Sequence, residues 1–302
     1  MKKVLIIKLG HSETLDSGGD SRGAPVVSLG DVLRTTVILN YFKDARVSWL
    51  ADKKAMPLLE NNPYIKRIFG YNKMVGERLK KESYDLVINL EKSPQICALA
   101  GAIHTDKRLG FGVNPLSKSR IALSRQSRRE NKDCWQKVLA RLVGREWKEE
   151  PYILGYKPNS RIKYDIGFNW TTSSKWSNKA WPRAYWDELE ALFKGRYSVS
   201  WQKGLRGLHR YMDWINSCRL IVSADTLGLH LGLALKKKVV ALFGPTPHRE
   251  IHLYGLGSFL TPKTGLKCLP CLKPRCDKKR QCMERIFPQT VAEKIEEEIK
   301  YG

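Results

Sequence analysis

Two widely separated segments combine small residues, a carboxylate and the start of a helical pattern. They are Ser28-Leu29-Gly30-Asp31-Val32-Leu33-Arg34-Thr35 and Ser223-Ala224-Asp225-Thr226-Leu227-Gly228-Leu229-His230. A helix that begins at such a turn points free backbone N–H groups and the positive end of its dipole outward, where an anion is favoured. Taken alone, Asp31 reads as a residue that caps those N–H groups. Arg34, one turn later, is either a solvated helix residue or a contact for an anionic ligand. His230, five positions after Asp225, is either a core histidine that fixes the loop or a direct substrate contact. A third group is chemical by spacing: Cys268, Cys271, Cys276 and Cys282 form Cys-x2-Cys-x4-Cys-x5-Cys with basic residues interleaved. Four thiolates so spaced suit a tetrahedral structural zinc or iron site, with four reduced, unliganded cysteines as the alternative.

The elements that must position these groups alternate between short β-rich runs and helical patterns, as βα units do. In the first half the strands are expected at Val4–Leu9, Arg46–Leu50, Ile65–Phe69, Leu86–Leu90 and Arg108–Phe111. Helices are expected over Asp31–Phe42, Lys53–Glu60, Lys73–Lys81, Ser93–Ile103 and Asn131–Val143. The polar stretch from Arg145 to Lys163, with Pro151 and Pro158, reads as a linker. The pattern then restarts with strands at Tyr164–Phe168, Tyr197–Trp201, Leu220–Ser223 and, as the last, Val239–Phe243. Helices fall at Pro182–Phe193, Leu208–Ser217, Thr226–Leu235 and, after the cysteines, Pro288–Lys300. Strands apolar almost throughout suit parallel sheets covered on both faces. The expected fold is therefore α/β with two doubly wound, Rossmann-like domains, residues 1–158 and 159–302, whose strand-end turns face one another across a cleft. A Gly-, Ser- and Asp-rich insert between Gly10 and Val27 overhangs that cleft in this reading.

These turns, followed by Phe243-Gly244-Pro245-Thr246, closely resemble the ADP-heptose:lipopolysaccharide heptosyltransferases, glycosyltransferase family 9. The resemblance implies a GT-B fold and an inverting transfer of a heptose-like sugar from a nucleotide diphosphate, ADP-heptose by family expectation. The acceptor would be the lipopolysaccharide core or a related glycan, and no catalytic metal is implied. It makes Asp31 the general base for the acceptor hydroxyl, a weak nucleophile until its proton is being removed. Arg34 falls on the acceptor side, the C-terminal domain binding the donor. Asp225 and Thr226, with His230 at the family's spacing, fall on that donor side. The family's Gly after Thr is here Leu227, with Gly228 one place later. Lys179-Ala180-Trp181-Pro182 resembles the family's Lys-x-Trp-Pro, and a lysine there neutralises the departing diphosphate. Lys175-Trp176 nearly duplicates it, and Lys179 is preferred because Pro182 marks the helix start. Thr246 is left to hydrogen-bond phosphates or sugar. A related cysteine cluster occurs in part of the family. Two departures stand out: the long insert, on which His11 and Glu13 lie, and the short passage from Trp201-Gln202-Lys203-Gly204 to the next helix, where the family carries a longer segment.

The chain has 302 residues, 42% hydrophobic and 28% charged, a composition that excludes a disordered chain and accommodates two domains. No apolar run is long enough to span a bilayer. Lys2 and Lys3 precede only a short apolar patch with no cleavage site after it, so the start reads as a strand of a cytoplasmic protein. Lys and Arg number 54 against 30 Asp and Glu, a formal charge of +24 that points to a polyanionic partner. An anionic glycolipid at the inner membrane face, approached peripherally, fits that charge. Two alternatives compete: a GT-B enzyme using another nucleotide sugar, and a nucleic-acid-binding protein built on the cysteine knuckle with Arg275, Lys278, Lys279 and Arg280. Nucleic acid is the unlikely partner, because the cluster lacks stacking aromatics.

Overall fold

The computed structural model describes residues 1–11, 26–112, 130–204, 207–263 and 265–300. Most of the expected insert, with Glu13 and the Asp16–Asp20 run, lies outside them. The chain forms two compact units, Met1–Tyr156 and Lys157–Gly302.

The first unit is built on five parallel strands: β1 (Lys3–Ile7), β2 (Arg46–Ala51), β3 (Ile65–Gly70), β4 (Ser83–Asn89) and β5 (His104–Gly110). Their order is β3-β2-β1-β4-β5. Central β1 is Val-Leu-Ile-Ile after its first lysine and fully buried, whereas edge strand β5 is His-Thr-Asp-Lys-Arg-Leu-Gly and largely exposed or half-buried. That contrast follows from position, since a central parallel strand has both faces covered and an edge strand does not. Helices α1 (Leu29–Thr35), α2 (Lys73–Lys80), α3 (Pro94–Ala102) and α4 (Trp135–Leu142) connect or cover the strands. One core cluster joins Leu5, Ile7, Leu50, Val87, Ile96 and Leu99.

Helix α1 stops seven residues after it starts and passes into a 3-10 helix, Thr36–Tyr41, where the sequence pattern predicts one continuous helix to Phe42. The run Thr35-Thr36-Val37-Ile38 is β-branched and stiff at χ1. The Thr35 and Thr36 hydroxyls also donate back to the carbonyls of Asp31 and Leu33, at 2.7 and 2.6 Å, competing with the α-helical ladder. The expected helix over Lys53–Glu60 is likewise a 3-10 helix, Lys53–Leu58, with Pro57 inside it. The polar stretch after α4 has no regular structure but is tied down: Ile153 N–H donates to Thr36 Oγ1 at 3.0 Å, and Asn159 N–H to Asp213 Oδ1 at 3.0 Å.

The second unit carries β6 (Tyr164–Asn169), β7 (Val199–Trp201), β8 (Cys218–Ala224), β9 (Lys238–Leu242) and β10 (Gly257–Leu260), all parallel in the order β10-β9-β8-β6-β7. Strand β10 extends the sheet past what reads as the last strand. Its four residues, Gly-Ser-Phe-Leu, carry no pattern of their own and are strand only because the edge of β9 receives them. Helices α5 (Arg183–Phe193), α6 (Leu208–Asn216), α7 (Leu227–Ala234) and α8 (Pro288–Lys300) complete the unit, with α8 packed on α5 and β9. Counted within each unit, the strand orders are 3-2-1-4-5 and 2-1-3-4-5 read from opposite edges, the two common doubly wound arrangements. Each reverses direction at one point, between β1 and β4 and between β6 and β8. Ligands of open α/β sheets bind outside the carboxyl ends of the strands at such a point.

Candidate functional site

In the first unit Asp31 is the third residue of α1 and its side chain is 13% exposed. Its carboxylate does not cap the helix. Oδ1 instead receives Arg34 Nη2 at 2.7 Å. Arg34 is buried, and its guanidinium lies 4.7 Å from the ring centroid of Trp135 at the start of α4. The solvated alternative for Arg34 is thereby corrected: the flat cation stacks on an aromatic face and holds the carboxylate from one side. His11 Nε2 lies 2.8 Å from Asp52 Oδ2, with its ring edge-on to Tyr71.

Two residues that the sequence pattern did not single out lie at the same switch point. Glu91, two residues past β4, is fully buried, and Lys8, just past β1, is 4% exposed, with Nζ 3.4 Å from Glu91 Oε1. The only sequence signal was a charge directly after an apolar strand, Asn89-Leu90-Glu91-Lys92, which reads equally well as an ordinary loop.

In the second unit the strand-end turn of β8 is the centre. Lys179 Nζ donates to Asp225 Oδ2 at 2.6 Å and to the Asp225 carbonyl at 2.9 Å, and it sits 4.9 Å from the ring centroid of Trp176. His230 Nε2 lies 3.8 Å from Asp225 Oδ1. Burial pushes the Asp225 carboxyl up, but the charges of Lys179 and His230, with hydrogen bonding from Lys179 and the nearby Thr246 hydroxyl, outweigh it and hold the group well below the ordinary carboxylate range. The buried Thr246 Oγ1 contributes to that balance from outside strict hydrogen-bond geometry. Lys179, Asp225, His230 and Thr246 are thus brought together from the loop before α5, the β8–α7 turn, α7 itself and the loop after β9.

Thr226 and Gly228 serve the turn from behind. Asn169, the last residue of β6, donates through Nδ2 to Ser223 Oγ at 2.8 Å and Thr226 Oγ1 at 2.9 Å, while its Oδ1 accepts the Tyr211 hydroxyl at 2.6 Å. A Cβ on Gly228 would collide with the Asn169 carboxamide and come within 2.7 Å of the Tyr211 hydroxyl. The absence of a side chain there admits the network that fixes the turn. Asn169 was not picked out from the sequence; a polar residue ending an apolar strand was its only signal.

The four cysteines do not close into a cage. Among the described residues no three His, Cys, Asp or Glu groups are arranged to hold a metal ion. Cys282 is buried at the entry to a 3-10 turn, Met283–Arg285, while Cys268 Sγ accepts Lys278 Nζ at 3.3 Å and Cys271 Sγ accepts Asn178 Nδ2 at 3.8 Å. Burial pushes the Cys282 thiol up to about 11, with Cys271 and Cys276 adding to the rise. The segment instead packs on the loops before α5 and after β9: Asn178 N–H donates to Pro274 O at 3.1 Å, and Leu272 N–H to Pro245 O at 2.8 Å.

Comparison with known proteins bears on the second unit first. The model of the family described as glycosyltransferase family 9 (heptosyltransferase) matches residues 204–281, which contain Asp225, His230 and Thr246. Lipopolysaccharide heptosyltransferase 1 of Pseudomonas aeruginosa is 24% identical over 89% of this chain and 95% of its own. Over that segment the chain is similar to glycosyltransferase family 9. The chain is a glycosyltransferase, and its two parallel sheets are those of the two Rossmann-like domains of the GT-B fold. The E. coli ADP-heptose lps heptosyltransferase II shares that fold, with a TM-score of 0.70 at 16% identity over 100% of this chain and 99% of that one. So does the iron-containing dodecameric glycosyltransferase TibC of enterotoxigenic E. coli, with a TM-score of 0.63 at 12% identity over 99% of this chain and 76% of that one. Among the described residues of this chain, the cysteines do not form a group that could hold a metal ion.

Proposed function

We propose that the enzyme transfers a heptose-like sugar from ADP-heptose to a lipopolysaccharide core or related anionic glycan, with inversion, at the cytoplasmic face of a membrane. The observation that carries this reading is the Lys179–Asp225 pair at the β8–α7 turn, inside or beside the segment the family model matches. A half-buried ammonium on an aromatic face, beside a helix N-terminus, is suited to a diphosphate. Donor binding offers Lys179 a second anion beside Asp225. As the sugar–phosphate bond breaks, negative charge grows on the leaving diphosphate and the attraction to Lys179 grows with it.

On the other side of the reaction Asp31 takes the proton from the acceptor hydroxyl as its oxygen bonds to the anomeric carbon. Arg34 holds one carboxylate oxygen, which orients the other toward the proton it receives. A single displacement of this kind inverts the anomeric centre. The two relatives named for heptose transfer support the sugar class, and the formal charge of +24 supports an anionic acceptor surface.

The test is to incubate the protein with lipopolysaccharide truncated before its heptoses and with ADP-heptose, UDP-hexose or GDP-hexose in parallel. Mass spectrometry should find one heptose added from ADP-heptose, and NMR should find the anomeric configuration inverted. Transfer from a UDP- or GDP-hexose while ADP-heptose stays inert would assign the enzyme a different donor.

A further inference from the structure

Glu91 is buried completely, so its carboxylate oxygens depend on partners within the protein. Its Oε1 accepts two consecutive backbone N–H groups, Leu9 at 2.8 Å and Gly10 at 2.6 Å, with Lys8 Nζ at 3.4 Å. Its Oε2 has no hydrogen-bond partner among the described residues. Glu91 is itself held on both sides: its N–H donates to Asn89 Oδ1 at 3.0 Å, and its carbonyl accepts the Cys97 thiol at 3.3 Å.

The hydrogen bonds continue from Glu91 toward Asp31. Gly10, at φ 85°, turns its carbonyl to receive the Ser28 N–H at 2.6 Å, and the Ser28 carbonyl receives the Asp31 N–H at 3.1 Å. A Cβ on Gly10 would lie 2.9 Å from the Ser28 carbonyl oxygen, so the two strands of chain are in close contact there. Gly10 and Ser28 therefore meet at a single pinched point, so the end of β1 and the start of α1 stay directly joined by hydrogen bonds. The pinch closes on the residue pair that Glu91 holds.

We infer that Glu91 is the positioning residue of the acceptor-side turn: it fixes the Leu9–Gly10 amides, through them the Gly10–Ser28 pinch, and thereby the place of Asp31. This rests on Asp31 acting as the base, and the experiment separates the two. A neutral carboxamide can still accept the two N–H groups, whereas a methyl cannot, so Glu91→Gln and Glu91→Ala are the informative pair.

Transfer kinetics with ADP-heptose and truncated lipopolysaccharide, ADP titration, and amide hydrogen exchange at Gly10 and Ser28 are measured on the full chain. Assays are run at a temperature where every variant is folded by circular dichroism. Glu91→Ala should lower kcat about 30-fold with ADP affinity within twofold of the parent, speed exchange at both amides, and leave Glu91→Gln within about fivefold of the parent kcat. In the Asp31→Asn background Glu91→Ala should cost no more than about twofold further, because its effect passes through Asp31. Unchanged exchange in Glu91→Ala, or a full 30-fold loss in both backgrounds, would overturn the positioning role. Near-parental turnover by Asp31→Asn would instead overturn the base reading, and faster exchange at Gly10 and Ser28 in Glu91→Ala would still report control of the turn.

Discussion

At the scale of single residues, the turn at the start of α1 carries its carboxylate as the partner of a stacked guanidinium and not as a cap. Because Asp31 makes no capping hydrogen bond, Asp31→Asn removes the proton acceptor while keeping an oxygen for Arg34. It should lose at least about 100-fold in kcat with melting temperature and ADP affinity near the parent. A fall in melting temperature with turnover preserved would return Asp31 to a structural role. The Lys179–Asp225 pair behaves differently, since both side chains are only 14% exposed. Lys179→Ala strands the carboxylate in a poorly solvated site, at a cost of about 3 kcal/mol, and weakens ADP binding, whereas Lys175→Ala should do neither. The sign of the pH effect follows from the lowered Asp225 carboxyl: it stabilises the fold above the ordinary carboxylate range, and that contribution is lost as pH falls through and below it. Acid titration of the melting temperature should therefore be flatter in Asp225→Asn than in the parent.

At the scale of elements, the β8–α7 turn depends on what lies behind it. Asn169 reaches from the end of β6 to Ser223 and Thr226, and Gly228 leaves the room that this requires. Gly228→Ala must displace the Asn169 carboxamide, which should destabilise the second unit by about 1–3 kcal/mol and weaken ADP binding together with it. Denaturant melts and ADP titration on the same variant check this, and unchanged values in both would detach Asn169 from the turn. Most elements were legible because apolar runs and helix periodicity survive in single segments; α8 spans Pro288–Lys300 as the pattern predicts. Helix α1 ended early because two threonine hydroxyls bond to its own carbonyls, a competition that periodicity does not register. Strand β10 was invisible because its pairing partner, and not its composition, makes it a strand.

At the scale of the whole molecule, the excess of 24 positive charges is a long-range property that no single pocket requires. If it serves association with an anionic membrane or glycolipid, salt should screen it over a Debye length of about 8 Å at physiological ionic strength. Co-sedimentation with anionic vesicles should fall steeply as salt rises, binding to neutral vesicles should stay low throughout, and the KM for truncated lipopolysaccharide should rise more than that for ADP-heptose. Equal partitioning onto both vesicle types at every salt concentration would leave the charge as a solubility feature.

The residue types, their spacing and the alternation of strands and helices were enough to show the resemblance to glycosyltransferase family 9 and the α/β class, because those features are local. Asp31, Lys179, Asp225, His230 and Thr246 were singled out because the motifs that carry the resemblance are each contiguous in the sequence. What joins them is not local. The stacking of Arg34 on Trp135, the bond from Lys179 to Asp225, the reach of Asn169 across the sheet and the burial of Glu91 against the Leu9 and Gly10 amides each link segments distant in sequence. The cysteines show the same division. Their spacing suggested a metal cage, but among the described residues no such group is formed: Cys282 packs into the core and the segment binds Asn178 and Pro245 through its backbone. Burial and hydrogen-bond partners are properties of the folded chain, so only the tertiary structure could decide which polar groups act as partners and which are merely near in sequence.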